Sequence, residues 1–229
     1  MNITFISDTH TYMYDKRYKE LMLPEGDILC FTGDLMSSGY NEGELIHFLK
    51  WFSKQPFTYK IFIAGNHDRY FEDFSLLAEN IISQYKSFGV IYLKNTSFDY
   101  NGVKFYGTPY QPYFCGWAFN VPDSNKLTDI YNMIPEDTDV FLTHCPPYGI
   151  LDQSHRPNCY NPTGEEHLGS KELKQVLDSR EILPKIVAFG HIHGDGGKQI
   201  QIGNTIYVNG SLCDENYNPV NNIVTIELS

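Results

Sequence analysis

The chain has 229 residues, with 17 Lys and Arg against 28 Asp and Glu, so its formal net charge is −11 with neutral His. A composition 41% hydrophobic, 15% aromatic and only 20% charged excludes a disordered chain, and no apolar run reaches the ~18 residues of a membrane helix. The acidic balance disfavours long nucleic acid as a partner, but leaves a small phosphate ester open if positive charge is supplied locally.

The length suits one domain spanning 1–229. Five scattered cysteines (Cys30, Cys115, Cys145, Cys159 and Cys213) contain no CxxC pair and read as reduced thiols rather than a disulfide framework or structural zinc. The opening MNITFISDTH lacks the basic region and cleavage site of a signal peptide. The expected location is therefore the cytoplasm.

In chain order, 3–6 (ITFI), 28–32 (ILCFT) and 61–64 (IFIA) are short β-rich apolar runs, each ending in a small or polar loop. Continuous runs of this kind fit strands buried on both faces. Leu45, Phe48, Leu49 and Phe52 follow the i, i+3, i+4, i+7 stripe of an amphipathic helix, and Phe74, Leu77, Ile81 and Tyr85 predict a second. Strands are expected at 90–93, 97–100 and 103–107, the last two joined by a tight Asn101-Gly102 turn. Further strands are expected at 140–143, 186–189, 199–202, 205–208 and 223–228, with a Gly203-Asn204 turn between two of them. A helix near 170–180, N-capped by Ser170, presents Leu173, Val176 and Leu177 on one side. The order predicts an α/β sandwich of mixed sheets. Two irregular segments, 108–125 and 146–169, are read either as a substrate wall and a lid or as ordinary surface loops.

Five of the eight histidines fall in four loop-like contexts directly after apolar runs: Asp8-Thr9-His10, Gly65-Asn66-His67-Asp68, Thr143-His144 and Gly190-His191-Ile192-His193. Gly33-Asp34 holds the same position after its own run. Groups at the carboxyl ends of neighbouring strands converge on one crevice in α/β folds. Asp8, His10, Asp34, Asn66, His144, His191 and His193 can therefore meet in space. Carboxylate, imidazole and amide oxygen together suit divalent Mn, Fe, Zn, Co or Ni. Seven such groups exceed the needs of one tetrahedral ion and fit two ions sharing a carboxylate and a water, the clamp used for in-line displacement at phosphorus. Two divalent ions against Asp8 and Asp34 leave the site at +2, or +1 with a bound hydroxide, which attracts a phosphate inside an acidic protein.

The order DxH, GD, GNHD, H, GHxH resembles the calcineurin-like metallophosphoesterase superfamily. The stretches YGTPYQPYFCGWAFN (106–120), IPEDTDVFLTHCPPYGILD (134–152), FGHIHGDGG (189–197) and NYNPVN (216–221) are similar to the branch called metallophosphoesterase domain-containing proteins. The resemblance implies a four-layer α-β-β-α sandwich of two mixed sheets flanked by helices, and phosphoester hydrolysis with activity on cyclic nucleotides. It also implies a division of ligands: Asp8, His10, Asp34 and His193 for one metal; Asp34, Asn66, His144 and His191 for the other, with Asp34 bridging. His67 corresponds to the non-ligand histidine that protonates the leaving alkoxide or stabilises charge on phosphorus. Asp68 is expected to hydrogen-bond His67 and set its tautomer.

Other residues are less decisive. Tyr110, Phe114, Trp117 and Phe119 are read either as a stack for a nucleobase or as packing for their loop, and Arg69 as a contact to a phosphate oxygen. His47 lies off its helix stripe and is expected at the surface. His155, Cys159 and His167 suggest a zinc site only against the simpler reading of an irregular loop, and Cys145 is read as a buried structural thiol. The expected protein is a phosphodiesterase with two divalent metals, manganese favoured, that attacks a small, cyclic nucleotide with a bridging hydroxide. The alternatives are a phosphomonoesterase or nuclease, and a nucleotide-binding module without turnover.

Overall fold

The computed structural model describes residues 1–12, 21–156 and 166–228. Its strands and helices follow in the order β1 (Asn2–Ile6), β2 (Gly26–Thr32), α1 (Glu42–Phe52), β3 (Phe57–Ile63), α2 (Tyr70–Asp73), α3 (Ser75–Ser83), β4 (Val90–Tyr92), β5 (Thr96–Tyr100) and β6 (Val103–Thr108). They continue with β7 (Gln111–Pro112), β8 (Asn120–Val121), α4 (Ser124–Asn132), β9 (Val140–Thr143), β10 (Gln153–Ser154), β11 (Glu166–His167) and α5 (Lys171–Ser179). The chain then forms β12 (Ile186–Phe189), β13 (Lys198–Ile202), β14 (Thr205–Asn209) and β15 (Val224–Glu227).

Two mixed sheets result, a five-stranded one in the order β15-β1-β2-β3-β4 and a six-stranded one in the order β13-β14-β12-β9-β6-β5. β1 to β4 run parallel, as do β6, β9, β12 and β14, while β15, β13 and β5 pair antiparallel. Side-chain alternation along each strand builds the layers. Ile28 and Cys30 face the second sheet, where they meet Phe105, Val140, Leu142 and Ile186 in the central core. Leu29 and Phe31 point the other way, onto Leu45, Phe48, Leu49 and Phe52 of α1. On the outer side of the second sheet, Phe141, Val187 and Phe189 pack against Leu127 and Tyr131 of α4 and Leu173, Val176 and Leu177 of α5. Helices thus cover both outer faces of two packed sheets, the expected four-layer sandwich.

Most of the expected elements form. Asn101 and Gly102 both take positive φ, 51° and 78°, as a two-residue hairpin loop requires, and the Ser170 side chain accepts from the Leu173 N–H as N-cap of α5. The second helix differs from its expected register. Phe74 is a break between α2 and α3, with φ −130° and ψ 43°. The break rotates α3 so that Ala78 and Ile82 are buried while Phe74 and Leu77 are 46% and 51% exposed. Phe71, on the preceding turn, takes the core position instead. The helix α4 is absent from the sequence reading; Asp123 caps it by accepting from Asn125 and Lys126, and Leu127 and Tyr131 form its buried i, i+4 pair.

Of the two irregular segments, 108–125 carries the short β7–β8 ladder. The second is anchored at its ends by the buried Asp152, which accepts from the N–H groups of Gly149 and Gly169, each at 2.9 Å, and from His167 at 2.6 Å. His155 instead faces Asp195 at 4.0 Å. Cys159 and the centre of the expected lid lie outside the described residues.

Phe48 sits under four aromatic rings, those of Phe31, Trp51, Phe52 and Phe62, at centroid distances of 4.8 to 6.1 Å. Phe48→Ala is expected to lower stability by about 3–5 kcal/mol with an unchanged urea m-value, read from equilibrium unfolding.

Candidate metal centre

The parallel strands deliver their carboxyl ends to one edge of the sandwich. A parallel bridge between Ser7 and Ser211 joins the loops after β1 and β14. Asp8 N–H donates to the Gly33 carbonyl at 3.0 Å, His10 N–H to Asp34 at 3.1 Å and Gly190 N–H to His144 at 3.0 Å. These bonds bring five loops together. Asp8, His10, Asp34 and His191 all have positive φ, between 39° and 68°, a costly conformation for non-glycine residues that concentrates at functional sites. The motif glycines make room: a Cβ on Gly65 would collide with Asp34 Oδ1, and one on Gly190 with Asp8 Oδ2.

Asp8, His10 and His193 form one group whose donor atoms lie within 4.8 Å of one another, and Asp34, His144 and His191 form a second. Asp34 Oδ2 sits 3.8 Å from His10 Nε2 and 3.3 Å from His144 Nε2, at the shared edge of the two groups. Asn66 Oδ1 is 2.9 Å from His144 Nε2. The structure therefore brings together all seven residues singled out in the sequence.

Their hydrogen bonds bear on whether a cation fits. His144 Nδ1 lies 2.8 Å from the Thr32 carbonyl and His193 Nδ1 3.0 Å from that of Asp214. A carbonyl only accepts, so both Nδ1 atoms carry hydrogen, and in the neutral rings Nε2 presents its lone pair. Those lone pairs face carboxylate oxygens, Asp34 Oδ2 at 3.3 Å and Asp8 Oδ1 at 3.2 Å. Acceptors facing acceptors are reconciled by positive charge between them. The ionisation equilibria agree. Burial works to raise Asp8 and Asp34, yet the surrounding imidazoles hold both below the usual carboxylate range. Burial works to lower His144, but Asp34 and Asp8 push it up to about 9. Burial chiefly drives His10 down to about 4 and His191 to about 3, which keeps those rings neutral and able to ligate. Oxygen and imidazole donors in this mixture fit divalent transition ions.

His67 borders the same site, its ring 4.7 Å from His10 and stacked at 4.2 Å on Trp117. Its Nδ1 hydrogen-bonds the Ser37 carbonyl, so the proton on Nδ1 is set by that carbonyl and Nε2 is the remaining functional atom. This corrects the expected role of Asp68. The Asp68 carboxylate is buried, and accepts from the backbone N–H groups of Gly65 at 2.7 Å and of Asp34 and Met36 at 2.9 Å. Burial and Asp34 push its carboxyl up to about 8 against the pull of those hydrogen bonds. It ties the loops after β2 and β3 together rather than orienting His67.

The clusters open on a cavity of about 730 Å³. Phe114 and Trp117 line it, joined by Tyr113, so part of 108–125 does form a wall. Tyr110 does not line it; its ring packs edge-on against buried Phe119, within the core. Arg69 is also absent from the lining, because its Nε pairs with Asp73 at 3.1 Å and its Nη1 donates to the Gly116 carbonyl at 2.8 Å. It clamps the aromatic loop instead of reaching into the cavity. Arg156 and Tyr217 line the cavity and were not singled out from the sequence. Tyr217 falls in the NYNPVN stretch, which was the one available signal. Cys145, though it follows His144, is buried, and burial pushes its thiol up to about 12, so it is no nucleophile.

A profile of the calcineurin-like phosphoesterases matches residues 1–195. The chain belongs to this family. It is similar to metallophosphoesterase domain-containing protein 1 of Homo sapiens, at 34% identity over 242 aligned residues, 97% of this chain and 69% of that one. A UPF0046 protein of Caenorhabditis elegans is 31% identical over 94% of this chain and 71% of its own. A Nostoc protein named 3′,5′-cyclic-nucleotide phosphodiesterase is 29% identical, covering 85% of this chain and 66% of that one. Family and donor set together make the protein a metal-dependent phosphoesterase, and no helix among the described residues is long and apolar enough to cross a membrane.

Asp68→Asn replaces one acceptor oxygen by an NH2 group facing backbone N–H donors. The variant is expected to lose roughly 2 kcal/mol of stability or more and to bind metal more weakly, read by thermal unfolding and metal titration. Lost turnover with unchanged stability and metal affinity would instead place Asp68 in His67 chemistry.

Proposed function

We propose that the protein hydrolyses phosphodiester bonds of small nucleotides, cyclic nucleotides foremost. The observation that carries this reading is the pair of donor clusters sharing Asp34 Oδ2 at the floor of a cavity with an aromatic wall. In this reading Asp8, His10, Asp34 and His193 would hold one divalent ion, and Asp34, Asn66, His144 and His191 the other, manganese being favoured. Such a pair, when bound, supplies charge neutralisation at phosphorus and acidifies a water.

The chain's own residues do the rest. His67 gives its Nε2 proton to the departing alkoxide while Nδ1–H stays on the Ser37 carbonyl, so the ring keeps one orientation through the transfer. Trp117, stacked on that ring, limits its rotation. Phe114 and Tyr113, about 56–60% exposed beside it, offer faces for a nucleobase. The name of the Nostoc relative, a 3′,5′-cyclic-nucleotide phosphodiesterase, supports the substrate class. A net charge of −11 keeps long polyanions away, and free buried thiols at Cys30, Cys145 and Cys213 support a cytoplasmic location.

Two variants test the assignment with bis-p-nitrophenyl phosphate as substrate. His67→Ala is expected to keep both metals by elemental analysis while turnover drops roughly 10²–10⁴-fold; unchanged turnover would remove His67 from the mechanism. Asp34→Asn is expected to weaken both metals together. A parallel panel of 2′,3′- and 3′,5′-cyclic nucleotides, mononucleotides and single-stranded DNA separates the reactions: hydrolysis confined to mononucleotides would make the protein a monoesterase, and binding without product a nucleotide-binding module.

A further inference from the structure

The cavity has a second side that the hydrolytic reading leaves without a role. It is formed by the 153–156 segment and the 214–218 turn, which are stapled together. Glu215 Oε1 accepts from Ser154 Oγ at 2.6 Å and from the His155 N–H at 3.0 Å, and Arg156 N–H donates to Ser154 Oγ at 3.3 Å. The Asp214 carboxylate organises the turn, accepting from the Asn216 and Asn218 N–H groups at 2.9 and 2.8 Å, while its carbonyl accepts from His193 Nδ1. The same turn therefore orients a candidate ligand and forces Tyr217 to φ 62°, a strained position for a tyrosine. Tyr217 lies edge-on to His10 at 4.9 Å and to His193 at 5.2 Å. His67 also meets His10, so Tyr217 and His67 both border that ring.

Arg156 completes this side. Among the described residues lining the cavity there is one arginine and no lysine. Among the described residues its guanidinium has a single hydrogen bond, from Nη1 to the Glu215 carbonyl at 3.3 Å, and no ion pair. The Glu215 carboxylate, on the adjoining turn, is engaged by Ser154 and His155 instead. Most of the guanidinium's five N–H donors are thus uncommitted, and its charge reaches the Tyr217 phenol. Arg69 has the opposite arrangement, with Asp73 and Gly116 occupying its donors. In a chain of charge −11, an arginine left unpaired at a cavity selects for anions.

We propose that Arg156 and Tyr217 form a phosphate-binding wall, and that the substrate is a phosphodiester carrying a second, monoester phosphate on the part that is not attacked. This rests on the phosphodiesterase reading above. The guanidinium and the phenol O–H can both donate, and the charge and planar fork of the guanidinium favour a phosphate dianion over a neutral sugar hydroxyl.

The test uses manganese-loaded protein and two substrates with one leaving group, thymidine 5′-(p-nitrophenyl phosphate) with either a 3′-phosphate or a 3′-hydroxyl. The 3′-phosphate is expected to lower KM about tenfold, the worth of a charge-assisted pair, with similar kcat. Arg156→Ala is expected to bring the ratio of the two KM values to about one, Arg156→Lys to keep part of it, and Tyr217→Phe to reduce it several-fold. Equal loss on both substrates would place Arg156 at the reacting phosphate and overturn the proposal, as would a wild-type ratio near one. Calorimetric binding of thymidine 3′,5′-bisphosphate against thymidine 5′-monophosphate, in a His67→Ala background, reads the same wall without turnover. If neither ester is hydrolysed but the bisphosphate still binds about tenfold tighter through Arg156, the wall stands and the phosphodiesterase reading fails. If both esters are hydrolysed without preference, the reverse holds.

Discussion

Asp34 is held from every side, and the arrangement of the other loops follows from how it is held. Its N–H donates to the buried Asp68, its carbonyl accepts the His10 N–H, its Oδ1 accepts the His67 N–H at 2.8 Å, and its Oδ2 stands between His10 and His144. Loops following β1, β2, β3 and β9 therefore meet on one residue. An ionised carboxylate that is almost fully buried costs several kcal/mol unless it is compensated. Here the compensation comes from the imidazoles and the backbone N–H group around it. The same need for positive charge distinguishes this candidate metal cluster from a set of satisfied core histidines.

Rigidity around Asp34 is distributed by chemistry rather than by loop length. Asp68 takes three short backbone hydrogen bonds, and the Asp214 carboxylate takes two more on the opposite side of the site. Both are acceptors that gather N–H groups of consecutive or neighbouring loops, the way a bound anion would. The strained φ values at Asp8, His10, Asp34, His191 and Tyr217 persist because these contacts over-determine them. Arg69 serves the aromatic loop in a similar way through the Gly116 carbonyl, and Ala118 N–H donates to the Asn66 carbonyl at 3.1 Å. The aromatic wall of the cavity is thus tied to the backbone of a candidate ligand.

Charge has two scales in this molecule. Over the whole surface the balance of −11 repels polyanions. Inside the cavity, the clusters attract positive charge, and Arg156 adds a cation of its own that no carboxylate among the described residues pairs with. The two effects stay separate, since screening confines each to about a Debye length, ~10 Å at 0.1 M salt.

Apolar runs and the polar residues that end them determined much of this protein by themselves. Strands buried on both faces must be continuous in hydrophobicity, so β1, β2, β3, β9 and β12 were legible, and the convergence of parallel strand ends made Asp8, His10, Asp34, Asn66, His144, His191 and His193 legible as one site. What the sequence could not express was direction around a helix axis and the choice among equivalent partners. The break at Phe74 turned α3 onto Ala78 and Ile82, and a short apolar spacing hid α4 just after the segment rich in aromatics. Asp68 neighbours His67 in the chain, but its carboxylate found three backbone donors on other loops, and Ser37 took the imidazole. Arg69 and Arg156 are chemically alike; only the packed structure decided that one meets Asp73 and the other faces the cavity, because hydrogen-bond partners are assigned by distance in space and not by position along the chain.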